Sequence, residues 1–374
     1  MNRRAFLAGY LTLPLFAQRR RQLPEWMAKK WRIDPRCVLP RGPKGDFDSR
    51  VVGDPCIVWD EEASCWRMFY FASPGIGADG KPHGRIAGMA LSRSAEEIGP
   101  GDWRKAGPAR VANPFEEIVK YNGHKFWVVL DPLAANRAAR IDGRYWGLFI
   151  VGRYKHVYAA WTKSLAGPWT VIEKPILSPG REHGAVDGRH CDTPTAYWMA
   201  DRGQVLIFYK AYPREAQPEQ PGAPFGSSTV VAWWRPSEPV ARKADRVMAP
   251  GRNDDWNRGW VGGFQLLRDA RLGVWYALLN GSPTAPADDS HREPAPSLGG
   301  WAVCQGEHPG GEWAADNSVS PFRKSEDLSD AETKAGLGVN FWRHHLLVTP
   351  GGRARIFFNS GPYGTEQMYS LLPA

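Results

Sequence analysis

The sequence lacks the patterns that mark several common classes of protein. Its 374 residues include five cysteines, an odd number, and no two of them stand at metal-ligand spacing. A glycine-rich phosphate loop, a nucleophile elbow and a His-Glu-x-x-His zinc motif are all absent. No basic stripe with helical spacing is present either, which argues against nucleic-acid binding. Phosphate-loop enzymes, elbow-type serine hydrolases and zinc proteins are therefore poor first hypotheses.

Apolar runs long enough to span a bilayer are also missing. The longest run at the N-terminus, from Ala5 to Ala17, is too short for a span and follows two arginines. The resulting Arg-Arg-x-Phe-Leu start resembles a twin-arginine export signal. We predict an export signal over residues 1–17, no stable membrane span, and a periplasmic or extracellular location. The alternative is a buried N-terminal helix, which the proline and the arginines that follow would fit badly.

Acidic residues are fewer than basic ones. The chain has 39 Asp and Glu against 48 Lys and Arg, for a formal net charge of +9. Much of the excess falls in the leader and in a basic segment over residues 18–39, which we interpret as a spacer. The charge is compatible with an anionic polysaccharide, sulfated or uronic, as a partner. No pattern predicts the oligomeric state.

Turn residues and aromatic rings are abundant. The 40 glycines, 32 prolines and 18 tryptophans suit many short strands joined by turns, and they suit helices poorly. From residue 40 onward, units of roughly 60 to 80 residues repeat an apolar strand, a turn and a second strand rich in aromatics. The second strands begin at Trp66, Tyr145, Val205, Val274 and Arg355. These units predict an all-β fold, a five-bladed β-propeller over residues 40–374. A β-sandwich would not predict five similar hairpins at this spacing.

A second repeated pattern involves aspartates next to the predicted inner strands. Asp54 precedes Pro55 and an apolar run, Asp131 stands before Pro132, and Asp192-Thr193-Pro194 is a looser copy. Inner strands of a propeller begin near the central funnel, so the three aspartates could converge on one cavity. Carboxyl groups that share a partly desolvated site differ in protonation, as glycosidic bond cleavage requires. The ordinary alternative for each Asp is a turn-initiating role.

On these residues the chain resembles the five-bladed propeller glycosidases of glycoside hydrolase family 43, with families 32 and 117 as relatives. The resemblance implies a catalytic base at Asp54, a residue at Asp131 that modulates pKa and positions substrate, and a general acid at Asp192. Family 43 implies direct attack by water with inversion, whereas family 32 implies a covalent intermediate. We expect no cofactor, although a structural ion such as calcium could occupy the funnel.

The third position departs from the family pattern, because family 43 has Glu where this chain has Asp192. A shorter side chain withdraws the acid by about one methylene, enough to disturb catalytic geometry. Glu182, His183 and His190 are the alternative acids nearby, and family 117 enzymes use a His in this role. Asp48 is the main alternative to Asp54 as the base.

Polar and aromatic residues in the remaining inner strands are candidates for substrate binding. Arg343 and His344 interrupt an apolar run, where burial without a partner would be costly, and either one could instead point outward. Trp260 could stack on a sugar ring or belong to the core. The sequence thus predicts an exported glycoside hydrolase with a carbohydrate substrate. The alternatives are a non-catalytic propeller that binds carbohydrate or protein, and a glycoside phosphorylase with a basic phosphate pocket.

Overall fold

A computed structural model describes residues 25–28, 30–75, 86–110, 124–151, 155–220, 222–251, 255–288, 296–322, 341–362 and 364–374. The predicted export signal over residues 1–17 and the first part of the spacer lie outside this set, so export stays a prediction. Within the described residues, α1 (Glu25–Ala28) is a single helical turn and the remaining regular elements are strands. No helix in these ranges is long and apolar enough to cross a membrane.

The strands form five antiparallel sheets. The first strand, β1 (Trp31–Leu39), belongs to the last sheet. Blade I contains β2 (Val51–Asp60), β3 (Cys65–Ser73), β4 (Ile86–Ser92) and β5 (Trp103–Pro108). Blade II contains β6 (His124–Val128), β7 (Arg140–Ile141), β8 (Arg144–Val151), β9 (His156–Thr162) and β10 (Thr170–Val171). Blade III contains β11 (His190–Met199), β12 (Gln204–Tyr212), β13 (Ser228–Trp234) and β14 (Arg242–Met248).

The last two blades have the same plan. Blade IV contains β15 (Trp260–Asp269), β16 (Val274–Ser282), β17 (Leu298–Cys304) and β18 (Trp313–Ala315). Blade V contains β19 (Trp342–Val348), β20 (Ala354–Ser360), β21 (Gln367–Pro373) and β1. The inner strands contact one another in the cyclic order β2, β6, β11, β15, β19 and back to β2. The predicted five-bladed propeller is confirmed.

Local turn chemistry explains the hairpins between inner and second strands. The Asp60 side chain accepts hydrogen bonds from the backbone N–H groups of Glu62 and Ala63. Asp269 does the same for Arg271 and Leu272 in blade IV. An Asp that bonds the backbone two and three residues on stabilises a tight turn, so each inner strand reverses directly into its partner.

Aromatic side chains from neighbouring blades fill the space between the sheets. Phe69 of blade I lies 5.1 Å from Phe126 of blade II, measured between ring centroids. Trp146 and Trp234 make the same kind of contact between blades II and III at 5.2 Å. Most of the large buried side chains are therefore used in packing, which accounts for the high tryptophan content.

Blade V is closed by a strand from the other end of the chain. β1 pairs antiparallel with β21, from Trp31 opposite Pro373 to Leu39 opposite Met368. The predicted boundary between spacer and propeller at residue 40 is therefore wrong, because residues 31–39 form the outer strand of a blade. Met27 of α1 is also buried in the core.

Candidate active site

All five inner strands carry a β-bulge at the same level of the propeller. The pairing with the second strand shifts register between Gly53 and Cys56 in blade I, and at the matching point of the other blades. One residue in each bulge has a positive φ: Asp54 (48°), Lys125 (56°), Thr193 (47°), Gly263 (72°) and Arg343 (27°). We call these five residues the bulge ring. Bulges redirect side chains, and strained non-glycine backbone concentrates at functional sites.

Two contacts join Lys125 and Arg343 of the bulge ring to the bulge of blade III. The ammonium group of Lys125 lies 3.0 Å from the hydroxyl of Thr193. The Nη2 group of Arg343 donates to the carbonyl of Pro194 at 3.1 Å. Burial lowers the pKa of Arg343, and the charges of Asp54 and Asp192 oppose that shift. The ring thus places one carboxylate, two cations and a hydroxyl around the mouth of the inner strands.

Asp54 keeps its carboxylate available. Its backbone N–H donates to the Asn359 side chain at 3.1 Å, which fixes the bulge. Gly53 permits this approach, since a Cβ there would stand 2.6 Å from the Asn359 amide carbon. Within the described residues the Asp54 carboxylate makes no hydrogen bond or ion pair. It is free to bind water or a substrate.

A second carboxyl group, Glu366, lies beside Asp54. The backbone carbonyl of Glu366 accepts a hydrogen bond from Val52 at 3.0 Å, and its side chain is buried. Burial raises the pKa of Glu366, hydrogen bonds from the backbone N–H groups of Glu366 and Gly364 oppose that rise, and the smaller effects of the Asp54 and Lys125 charges raise and lower it respectively. The sequence reasoning missed this residue because it precedes β21, far from the Asp-Pro pattern. Its one local signal is an acid directly before an apolar strand.

Asp192 occupies a different position from the one predicted. In the strand pairing it matches Gly53, whereas Thr193 matches Asp54 and Pro194 matches Pro55. Its carboxylate is fully buried and bonds two ammonium groups, Lys125 at 3.1 Å and Lys155 at 2.5 Å. A carboxylate between two ammonium groups is suited to holding charge in place rather than to donating a proton.

Asp131 lies at the other end of the inner strands. Leu130 pairs in parallel with Tyr197, five residues beyond Asp192 on β11, a distance of roughly 16 Å along a strand. Asp131 accepts a hydrogen bond from Leu133 in a turn and borders a cavity of about 660 Å³ with Glu61 and Arg268. The predicted convergence of three aspartates is not found. In blade II the bulge residue is Lys125. The Asp-Pro pair of that blade lies at the opposite end of the inner strands.

Two further aspartates, Asp48 and Asp187, share one arrangement in blades I and III. Each is buried six residues before the bulge residue of its strand. Each accepts a tyrosine hydroxyl at 2.9 Å and a lysine ammonium group at 2.7 Å: Tyr70 and Lys105 for Asp48, Tyr209 and Lys243 for Asp187. A triad repeated in two blades indicates a structural role. The Oδ2 atom of the alternative base Asp48 therefore has two partners, whereas its buried Oδ1 atom has none among the described residues.

The predicted alternative acids differ in burial. Glu182 and His183 are exposed, and the His183 ring pairs with Glu215. His190 is buried with its ring edge against Tyr212, at 5.7 Å between centroids. Of the three, only His190 is buried.

The predicted substrate-binding residues separate into two groups. Trp260 is buried and stacks on the partly exposed Trp342, at 6.1 Å and 10° between planes. His344 is buried between blades IV and V, where its ring lies 2.9 Å from the Asn280 amide, and burial lowers its pKa to about 3. Arg343 belongs to the bulge ring. Trp342 is therefore better placed than Trp260 to meet a sugar ring.

His345 lies against the inner strands of blades I and II. Its ring accepts the backbone N–H of Ile57 at 3.3 Å, and burial lowers its pKa to about 3. Across the described ranges, no three His, Cys, Asp or Glu side chains are grouped to hold a metal. The expectations of no cofactor and of a structural ion both stay untested.

These features define an all-β propeller of five blades with a charged funnel. Solved structures share the fold at low identity. A glycoside hydrolase matches with a TM-score of 0.64 and 16% identity, over 90% of this chain and 91% of the other. A thermostable family-43 glycoside hydrolase matches with a TM-score of 0.58 and 16% identity, over 90% and 91%. A putative glycosidase from Bacteroides thetaiotaomicron matches with a TM-score of 0.59 and 12% identity, over 94% and 99%.

The predicted resemblance to family 43 propellers is thus confirmed at the level of the fold. Neither protein-family models nor curated proteins match the sequence.

Proposed function

We propose that the chain is a glycoside hydrolase that works at the bulge ring, with Asp54 as the ionised carboxylate and Glu366 as the proton donor. The observation that carries the proposal is the pairing of these two buried carboxyl groups in unlike surroundings. Asp54 lies near the Arg343 guanidinium, whereas Glu366 is buried and repelled by Asp54. A buried carboxylic acid next to a second carboxyl group is the equipment for glycosidic cleavage. The fold shared with glycoside hydrolases supports the same function.

The reaction follows from these positions. Glu366 gives its proton to the glycosidic oxygen as the bond from that oxygen to the anomeric carbon breaks. A water oxygen bonds to the anomeric carbon and its proton passes to Asp54, or Asp54 attacks first and water follows. The separation of the two carboxyl groups with substrate bound decides between these routes, about 5 to 5.5 Å for retention and roughly 6.5 to 9.5 Å for inversion.

Asp192 takes a supporting role in this proposal. Its bonds to Lys125 and Lys155 tie blades II and III together at the ring. We assign it the task of orienting these two lysines, instead of the acid role that the family resemblance implies.

The dependence of rate on the leaving group tests the acid. Aryl glycosides whose phenols differ in acidity are hydrolysed by the wild type and by Glu366→Gln. We expect the variant to lose about 10²- to 10⁴-fold in kcat/KM with poor leaving groups and little with the most acidic phenol, which needs no protonation. The matched control is Glu61→Gln, an exposed acid in the turn between β2 and β3 at the far end of the inner strands, which should behave as the wild type. A uniform loss across the phenols, or the graded loss in the control, would contradict the assignment.

The basic groups of the funnel suggest a second candidate function. Lys125, Lys155 and Arg343 could hold inorganic phosphate as the attacking group of a phosphorylase. Turnover that requires phosphate and releases a sugar phosphate would identify that function in place of hydrolysis.

A further inference from the structure

The lysines around Asp192 form a compact cationic group. One buried carboxylate contacts two ammonium groups, so these three side chains together carry one net positive charge. The carboxylate side chain is 1% exposed, while Lys125 and Lys155 retain 20% and 14%. The positive charges therefore lie on the open side of the group and the negative charge lies beneath them.

A third lysine extends the group toward blade IV. Lys210 stands opposite Asp192 in the pairing of β11 with β12. Its ammonium group lies 3.6 Å from the ring centroid of Trp260, and both Lys210 and Lys155 lie 5.4 Å from the ring centroid of Tyr212. The aromatic faces stabilise these cations where solvent is scarce.

The backbone of blade IV is shaped around Lys210. A Cβ at Gly262 would come within 2.6 Å of the Lys210 Cγ and 2.7 Å of its Cδ. A glycine at this point lets the lysine stem pass over the strand and reach the funnel. The position of this cation is therefore built into two blades.

Arg343 adds a cation with unused hydrogen-bonding capacity. Its side chain is buried, and its Nε and Nη1 atoms have no hydrogen-bond partner among the described residues. Burying a guanidinium with two nitrogen atoms that lack hydrogen-bond acceptors costs free energy unless a ligand or water supplies an acceptor. Cations from blades II, III and V thus meet at one level of the funnel.

We propose that the sugar bound in the funnel carries a carboxylate or a sulfate group, and that Lys125 and Lys155, oriented by Asp192, bind it. The inference rests on the proposed hydrolase function and specifies its substrate class as a uronic or sulfated sugar. Charge-assisted hydrogen bonds from two ammonium groups would fix the anion. That anchor would present the glycosidic bond to Asp54 and Glu366.

Paired substrates that differ only in charge provide the test. Aryl glucuronides and galacturonides are compared with the corresponding glucosides and galactosides, and polyuronate oligosaccharides with their carboxyl-reduced forms. We expect kcat/KM to favour the acidic member by at least about 10- to 100-fold, as charge-assisted bonds would give. Lys155→Met should lower that ratio by about 10-fold or more. The matched control is Lys163→Met, an exposed lysine at the end of β9, which should leave the ratio unchanged.

Calorimetry with the acidic oligosaccharides separates this inference from the proposed function. We expect the Asp54→Asn variant to bind these oligosaccharides more weakly as salt is added, and the Asp54→Asn, Lys155→Met double variant not to bind them. This result supports the inference even if no substrate is hydrolysed. Hydrolysis with equal or better rates on neutral sugars overturns the inference and leaves the hydrolase function standing. A strict requirement for inorganic phosphate also overturns it, because the lysines would then hold phosphate.

Discussion

The two ends of the inner strands differ in how their charged groups are used. At the funnel end the strands bulge, the backbone is strained at Asp54 and Arg343, and the Asp54 carboxylate has no partner among the described residues. At the far end the strands pair regularly, and Asp60 forms a buried ion pair with Arg67 at 2.7 Å. The same residue type is thus structural at one end and available for chemistry at the other. What distinguishes them is whether the carboxylate oxygens already have partners.

The most direct test of this difference is to neutralise one aspartate at each end of the inner strands. We expect Asp54→Asn to lower kcat by about 10³-fold or more, because the group that receives the water proton or attacks the anomeric carbon is lost. Asp131→Asn should stay within about threefold, since its side chain serves a turn. Initial rates on an activated aryl glycoside measure both. Equal losses in the two variants would remove the distinction between the ends.

The triads of Asp48 and Asp187 test whether a buried aspartate near the funnel is structural. Asp187→Asn should lower the free energy of unfolding by roughly 2 to 3 kcal/mol, less than the loss for a fully buried pair because the lysine is partly exposed. Urea unfolding followed by tryptophan fluorescence measures the change. Asp245→Asn, an exposed position on β14, is the control and should change stability by less than about 0.5 kcal/mol. Loss of activity at unchanged stability would instead place Asp187 in the chemistry.

The buried histidines predict a graded effect of pH on stability. His344 and His345 have pKa values lowered from 6.5 to about 3 in the folded protein. Below about pH 6.5 these histidines therefore bind protons in the unfolded chain but not in the folded protein. The free energy of unfolding falls as pH falls. Each histidine contributes a slope approaching about 1.4 kcal/mol per pH unit in this window. Unfolding of His344→Asn should show a shallower slope between about pH 6 and pH 4, and an unchanged slope would contradict the burial argument.

The fold was predictable from local patterns, whereas the site was only partly so. Apolar runs, aspartate turns and aromatic second strands are features of short segments, and they identified all five blades. The bulge is different, because it is defined by a partner strand and leaves no mark in the alternation of residues. Pro55 of blade I and Pro194 of blade III occupy matching positions in their bulges. The residue before the proline is an aspartate in blade I but a threonine in blade III, and the bulge of blade II has Lys125 and no proline.

Glu366 and the closing strand escaped prediction for a related reason. Glu366 meets Asp54 only because the loop before β21 crosses to β2, a contact between the two ends of the chain. Residues 31–39 looked like a basic spacer because an edge strand with one exposed face carries several charged residues. Pairing with β21 gives these residues their structure, and that pairing is not visible in the segment itself.

The seam between β1 and β21 has a consequence for how the molecule is made. β1 is synthesised before the strands of blades I to V that follow it, yet its partner is β21, and the Ala374 N–H donates to the Lys30 carbonyl at 2.8 Å. The propeller therefore cannot close until β21 has been synthesised. Until then β1 remains an unpaired edge, a surface on which other chains can add a strand. A chain truncated before β21 would leave that seam open, so the pairing of β1 with β21 is the step that closes the propeller.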